Sequence, residues 1–376
     1  MGRDYIQRLA EQRFEGQLRN DFMRAIDKLT NNFPFNQIAE LIEAGDLPRA
    51  LRLVGLNPDA FSDFQLSTRA AFSAGATSTE PFIPPRREPG GVVRKAKIKV
   101  NFGGEDSRRD DGVGGSTGEG NPRAERAVER LNTSAMRGLD GGAAITEEGQ
   151  RAVQNHIREG IRDGRNPRDV ARDLRGRWDE KARAFRGGIL GLTDSQRETV
   201  TRAEAQLRSG DPKELRKFMG RKLRDKRFDR TILKAIEEGT PIPEDKIRKM
   251  ADGYRRKFTA FRAETVARDQ TLRALSDGQE EALQQAIDQG VVREDEIRRD
   301  WITARDGRVR NHHQQIPAMN RGGRARGEPF LTPLRGETLR HPRDPEGSAA
   351  NTIQCRCSLA PRIVRNRNTP QAEGGT

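Results

Sequence analysis

Apolar residues recur along the first 78 positions at helical spacing. Ile6, Leu9, Phe14, Leu18, Phe22, Ile26 and Leu29 lie three to five residues apart, the apolar stripe of an amphipathic helix. Ile38, Leu41 and Ile42 continue the pattern in a second helix, Gly45-Asp46-Leu47-Pro48 breaks it, and Leu51 and Leu53 fall in a short third piece. Asn57-Pro58-Asp59 predicts a further helix start over Phe61, Phe64, Leu66 and Phe72, with proline at an early position where no N–H is needed. From 79 to 125 the pattern changes. Prolines crowd its start and glycines its end, and between them Val92 to Phe102 alternates apolar with basic residues, which predicts a β-strand with a positive outer face. The glycine run has no G-x-x-x-x-G-K-[ST] pattern and no buried strand before it, so it reads as a flexible loop and not as a phosphate cradle.

Helical periodicity returns from Asn121 to about Gln289. Thr146 is placed to cap a helix through Val153, Ile157 and Ile161, and Thr193 with Gln196 reads as a capping box. Gly164 to Val170 is a break and a new start, ending near Gly176. A helix from Asp245 to about Leu275 carries Ile247, Met250, Tyr254, Phe258 and Phe261 on one side, and a separate last helix covers Gln279 to Ile287. No repeat of fixed period and no sustained heptads occur. The expected fold is mainly α: an extended multi-helix body with a small α+β C-terminal domain and flexible loops. Its expected divisions are a helical region at 1–78, a Pro/Gly-rich segment with one basic strand at 79–125, a helical body at 126–290, a C-terminal domain at 291–362 and a disordered tail at 363–376.

Composition narrows the function. Only 33% of the 376 residues are apolar and 34% are charged, with a mean hydropathy of -0.90. That is little core-forming material for a compact enzyme, and it favours long surface-rich helices that complete their burial on partners. The 70 Lys+Arg against 56 Asp+Glu leave a net charge of +14, an argument for polyanion partners such as DNA. No apolar run is long enough to span a bilayer, and the polar N-terminal stretch does not read as a secretion signal, so folding in a cytoplasm and no membrane partner are expected. Two cysteines one residue apart make no disulfide framework.

The stretch Trp301–Leu359 concentrates the rare chemistry, with three of the four histidines and both cysteines. Cys355 and Cys357, with His341 and either His312 or His313 (His313 taken as the candidate), form the inventory of a Cys/His zinc site, which would hold together a segment too rich in Gly, Pro and Arg to build a core. Against it, C-x-C is tighter than the usual C-x-x-C knuckle, and buried cysteines in a small β element are the alternative. Asp306, Arg308, Arg310 and His313 admit two readings. One makes His313 a base and Asp306 a metal ligand of a nuclease. The other, preferred here, is a buried polar network: Asp306 turns the chain, the arginines pair with acids such as Asp344, and His313 bonds backbone. No G-x-S-x-G, H-E-x-x-H or Walker pattern is present, so no residue is assigned as catalytic.

The order of these residues resembles a known family. D-G-R-V-R-N-H-H, then Phe330, then H-P-R-D-P, then I-Q-C-R-C-S-L is similar to the C-terminal signature of tailed-phage head morphogenesis proteins, the minor head proteins like protein F of phage Mu and the minor capsid protein of phage SPP1. Trp301, Asp306, Arg308, Val309, Arg310, His313, Cys355, Arg356 and Cys357 match that pattern position by position, and Asp344 falls within the H-P-R-D-P element. Many relatives have an early cysteine pair where this chain has Arg310 and His313. The resemblance implies a non-enzymatic, low-copy component of the virion interior, present in the host cytoplasm during assembly. Its implied partners are the portal protein, capsid or scaffolding protein, and double-stranded DNA. Its implied task is to assist capsid assembly, DNA packaging or DNA ejection, with no cofactor beyond the structural zinc weighed above. The competing readings are a metal-dependent nuclease or toxin-like enzyme built on the His/Cys cluster, and a general DNA-binding protein.

Overall fold

The first seven periodic residues form one rod with a flaw in it. α1 (Tyr5–Leu9) runs through a π-helical stretch, Ala10–Phe14, into α2 (Glu15–Asn31). The extra residue of the π stretch absorbs the five-residue step from Leu9 to Phe14 and keeps Phe14, Leu18, Phe22 and Ile26 buried on one side. α3 (Phe35–Glu43) and α4 (Leu47–Leu53) follow, and a 3-10 turn capped by Asn57 leads into α5 (Ser62–Thr79). The computed structural model describes residues 4–54, 56–88, 90–100, 102, 121–137, 145–334, 336–344, 346–352 and 354–365. The expected glycine-rich loop and most of the expected tail lie outside them.

The basic strand expected over Val92 to Phe102 is a correction. Among the described residues of this segment, only β1 (Arg86–Arg87) and β2 (Val93–Arg94) pair as strands, β2 within the expected stretch. Beyond them the chain stays extended, but its backbone is paired by glutamine side chains of a helix. Lys97 and Lys99 donate their N–H groups to the Gln289 and Gln285 amide oxygens at 2.8 and 2.9 Å, and accept back from the amide nitrogens at 2.8 and 2.9 Å. Two glutamines four residues apart on one helix face stand in for the neighbouring strand.

α6 (Pro122–Arg137), α7 (Ile145–Arg162), α8 (Pro167–Arg175), the hairpin of β3 (Arg177–Asp179) with β4 (Ala184–Arg186), α9 (Asp194–Arg208), α10 (Pro212–Met219) and α11 (Asp229–Glu238) build the body. The Thr193–Gln196 capping box is present, with bonds of 3.2 and 3.1 Å. Thr146 is not a cap. It lies inside the first turn of α7 and donates its hydroxyl proton to the Met136 carbonyl at 2.7 Å. The two helices expected over 245–287 are one, α12 (Glu244–Asp288), 45 residues long. Ser276, Asp277 and Gly278 suggest a break to local propensity, but packing overrides them. A Cβ on Gly278 would lie 2.0 Å from the Phe72 carbonyl oxygen, and one on Gly75 would lie 2.2 Å from that of Leu275, so α5 and α12 touch backbone to backbone there.

α12 is the axis of the molecule. One core gathers residues of α3, α4 and α7 to α11 on its first half, around Ile157, Leu174, Val200 and Tyr254. A second gathers α1, α2, α5 and α6 on its middle, around Phe22, Phe64, Phe72 and Leu275. The N-terminal helices and the 126–290 helices therefore share their cores. A smaller cluster joins Ile83 and Ala96 to Leu283, Val292 and Ile297.

The C-terminal unit has its own. β5 (Ile297–Ile302) is the centre of a three-stranded antiparallel sheet, between β6 (Arg324–Ala325) and β9 (Ser358–Ile363), with Trp301 opposite Leu359. α13 (Asn311–Met319), the hairpin of β7 (Phe330–Leu331) with β8 (Thr338–Leu339), and the short α14 (Ala349–Thr352) complete it. Its core is Trp301, Ile316, Phe330, Leu339, Cys355, Cys357 and Leu359. The fold is mainly α with a small α+β C-terminal part. Among the described residues no helix is long and apolar enough to cross a membrane.

Candidate metal centre

α13 delivers His313 into the C-terminal core, and the segment just before β9 delivers Cys355 and Cys357 from the opposite side. His313 Nδ1 lies 3.6 Å from the Cys355 sulfur and 3.4 Å from the Cys357 sulfur. All three side chains are buried. The ring nitrogen Nε2 of His313 is 3.1 Å from Asn351 Oδ1. An amide oxygen only accepts, so Nε2 carries the proton and Nδ1 presents its lone pair to the two sulfurs, the tautomer a metal ligand needs. Trp301 stands edge-on against the imidazole, 6.0 Å between ring centres, and Phe330 packs on Trp301 at 5.3 Å. The ring cannot swing away.

The two thiols share a proton unequally. The hydrogen bond from Cys357 is the first cause that holds the Cys355 thiol well below its usual range, helped by the Arg343 guanidinium; Cys357, facing Cys355 and buried, is pushed well above. Arg343 is buried beneath them and donates to the Cys357 carbonyl at 2.7 Å and the Cys355 carbonyl at 3.4 Å. Both cysteines are free thiols.

The donor set fits zinc. A tetrahedral zinc bound to sulfur at about 2.3 Å and to nitrogen at about 2.0–2.1 Å separates those two atoms by roughly 3.5 Å. The two nitrogen–sulfur distances bracket that edge. The residues His313, Cys355 and Cys357 are the ones that would hold the ion. The same three side chains line a cavity of about 240 Å³ together with Arg308, Arg310, Gln354 and Arg356. With only three protein donors, an ion held there would take a water or an exchangeable anion as its remaining ligand.

His341, the fourth ligand expected from sequence, is not there. Its Nδ1 faces the Pro342 carbonyl at 3.0 Å, and the ring lines a different cavity, beside Arg343. The polar network also differs in detail. Asp306 does turn the chain, accepting from the Arg308 N–H at 3.0 Å, but its carboxylate is gripped from both oxygens by Arg356. That bond holds the Asp306 carboxyl well below the usual range. Asp344 pairs with Arg340, accepting from its backbone N–H at 2.8 Å and its guanidinium at 2.7 Å, and not with Arg308 or Arg310. His313 bonds a side chain and two thiols in place of backbone. Arg308 is exposed and pairs with Asp306 at 3.5 Å, while Arg310 begins α13.

Asn351, Arg343 and Gln7 escaped sequence reasoning. Gln7, on α1, donates to the Ile302 and Arg356 carbonyls at 3.0 and 3.2 Å and ties the start of the chain to both edges of the site. Only the N-T-I-Q-C-R-C run hinted at Asn351. Nothing local marks Gln7. No protein-family model, curated protein or solved structure matches the chain.

Proposed function

We propose that this protein is a minor head protein of the tailed-phage head morphogenesis kind, a low-copy internal virion component. In this reading it docks on the portal and on capsid or scaffolding protein, and assists capsid assembly and DNA packaging or ejection. Its C-terminal unit is held by a zinc on His313, Cys355 and Cys357 and serves as a rigid docking module. The observation that carries the reading is the construction of the signature itself. Trp301, His313, Cys355 and Cys357 pack as one core, and Asp306 and Arg356 lock its outer turn. The motif residues are used to brace one another. Among the described residues no carboxylate joins the His/Cys cluster, and the motif acid Asp306 is committed to Arg356, which supports a scaffold over a two-metal or acid–base hydrolase. The basic charge supports a place beside packaged DNA.

Purified chain mixed with portal oligomer should co-elute with it, and plasmid incubated with the chain and Mg2+, Mn2+ or Zn2+ should stay intact. Absence of portal binding together with cleavage that His313→Ala abolishes would replace the proposal with the second reading, a metal-dependent nuclease. That reading has one observation in its favour, the cavity that His313, Cys355 and Cys357 share with Arg308, Arg310 and Arg356.

A further inference from the structure

A second cavity, of about 240 Å³, lies where the C-terminal unit meets α6 and α12. Four arginines from four separate segments line it: Arg130 of α6, Arg273 of α12, Arg299 of β5 and Arg343 of the H-P-R-D turn. Two are buried, Arg299 at 8% and Arg343 at 4% exposure. Each leaves its Nε without a hydrogen-bond partner. The remaining guanidinium bonds of Arg299 go to the carbonyls of Ala325, Glu328 and Arg340, so it makes no hydrogen bond to a carboxylate. Arg343 bonds the carbonyls of Cys355 and Cys357, and the acid it pairs with, Asp269, stands 4.0 Å away and already takes Arg273 at 2.8 Å.

Buried guanidinium groups are costly unless charge and donors are both satisfied. This chain nevertheless builds one deliberately: Arg343 has a left-handed backbone, φ 63°, inside a turn that Asp344 fixes by accepting the Arg340 N–H. That conformation aims a long cationic side chain inward. Two acids share the wall with the four arginines: Glu280, drawn to Arg326 at 3.3 Å, and Asp277, whose carboxyl is pushed up to about 6 by desolvation against the pull of Arg273, Arg130 and Arg343.

We propose that this cavity binds a single phosphate group, with Arg299 and Arg343 as buried donors and Arg130 and Arg273 closing over it. A tetrahedral dianion offers several acceptors to convergent planar forks, and it supplies the charge that the site lacks. The source is free phosphate or the terminal phosphate of a nucleic-acid strand. The inference stands independently of the head-protein reading and of the zinc site.

The test is calorimetric titration of the full chain with inorganic phosphate at constant ionic strength, set by chloride. The expected result is saturable one-to-one binding. Arg343→Lys, which keeps the charge but loses the fork, should weaken it about tenfold. The exposed Arg130→Ala, which leaves the core untouched, should weaken it about threefold, and Asp277→Asn should strengthen it by a similar factor. A short oligonucleotide with a 5′-phosphate binding more tightly than its 5′-hydroxyl form assigns the strand end as ligand; equal binding of the two, with phosphate still bound, assigns free phosphate. No saturable phosphate binding by the wild-type chain, or unchanged affinity in both Arg130→Ala and Arg343→Lys with native circular dichroism, overturns the proposal.

Discussion

Two glycines of one helix should answer alanine substitution with opposite signs. Gly253 and Gly278 both sit in the interior of α12, where replacing glycine by alanine gains about 1 kcal/mol of helix propensity. At Gly253 that gain is unopposed, since the nearest atoms to a new methyl group are side-chain atoms at 3.8 and 3.9 Å, ordinary contact distances. At Gly278 the methyl carbon would stand 2.0 Å from the Phe72 carbonyl oxygen and 2.8 Å from the Ala76 nitrogen, whereas real Cβ atoms stay beyond 3.0 Å. Neither neighbour can rotate away, because both are backbone. The helices must separate by roughly 1 Å, and a gap of that size forfeits about a quarter to a half of the dispersion energy along the seam. The seam holds Phe72, Leu275 and the buried hydrogen bonds of the Tyr5 hydroxyl, with Thr79 at 2.8 Å and from the Gln279 amide at 2.5 Å. Overpacking of this kind costs about 1–3 kcal/mol and more when backbone must move, so Gly278→Ala should be destabilised by about 2 kcal/mol net. Gly253→Ala should be stabilised by up to about 1 kcal/mol. Urea denaturation followed by far-ultraviolet circular dichroism reads both midpoints. Because α12 also carries Arg273, phosphate affinity should fall in Gly278→Ala and hold in Gly253→Ala. A Gly278→Ala protein as stable as Gly253→Ala would refute the backbone contact and the placement of α5 on α12.

Other outcomes follow from the site. Purified protein should carry close to one zinc, lost in Cys357→Ser, and Asn351→Ala, which frees the His313 ring to change tautomer, should lower zinc affinity about 10–100-fold by competition with a chromogenic chelator; metal-free protein with an unchanged melting temperature would contradict the clip. Burial lowers the His156 pKa to about 3, with Asp173 opposing from 3.7 Å. The folded state thus resists protonation that the unfolded chain accepts near pH 6.5, so stability is full above that value and falls as pH drops toward 3. Between pH 6.5 and 4.5 the loss from this residue is about 2 kcal/mol, and His156→Gln should flatten that slope in urea titrations at both pH values. Gln7→Ala removes the tether to Ile302 and Arg356, about 1 kcal/mol, and should raise proteolysis between α1 and α2 without changing zinc content.

The helices were legible because their causes are local. The Leu9–Phe14 step, the Thr193–Gln196 box and the Asn166-Pro167 start each act within a few residues, and α2, α8 and α9 begin or continue where those signals stand. The motif also marked the right stretch, since His313, Cys355 and Cys357 do converge. Where reasoning failed, the cause was distant. Val92 to Phe102 has a strand's pattern, yet Gln285 and Gln289, almost two hundred positions away, supply its hydrogen bonds. His341 has the right element for a ligand, but the turn around Asp344 sends Arg343 under the thiols and His341 into the next cavity.

The sequence by itself determined a basic, mainly helical chain with one chemically dense C-terminal stretch, because periodicity, caps and charge are properties of neighbouring residues. Only the tertiary structure decided which of those dense residues meet. His313, Cys355 and Cys357 converge while His341 turns away, α5 and α12 meet through two glycines, and two buried arginines line one cavity with an Nε each left unpartnered. Those outcomes depend on contacts between segments that share no local signal, which only packing can bring within reach.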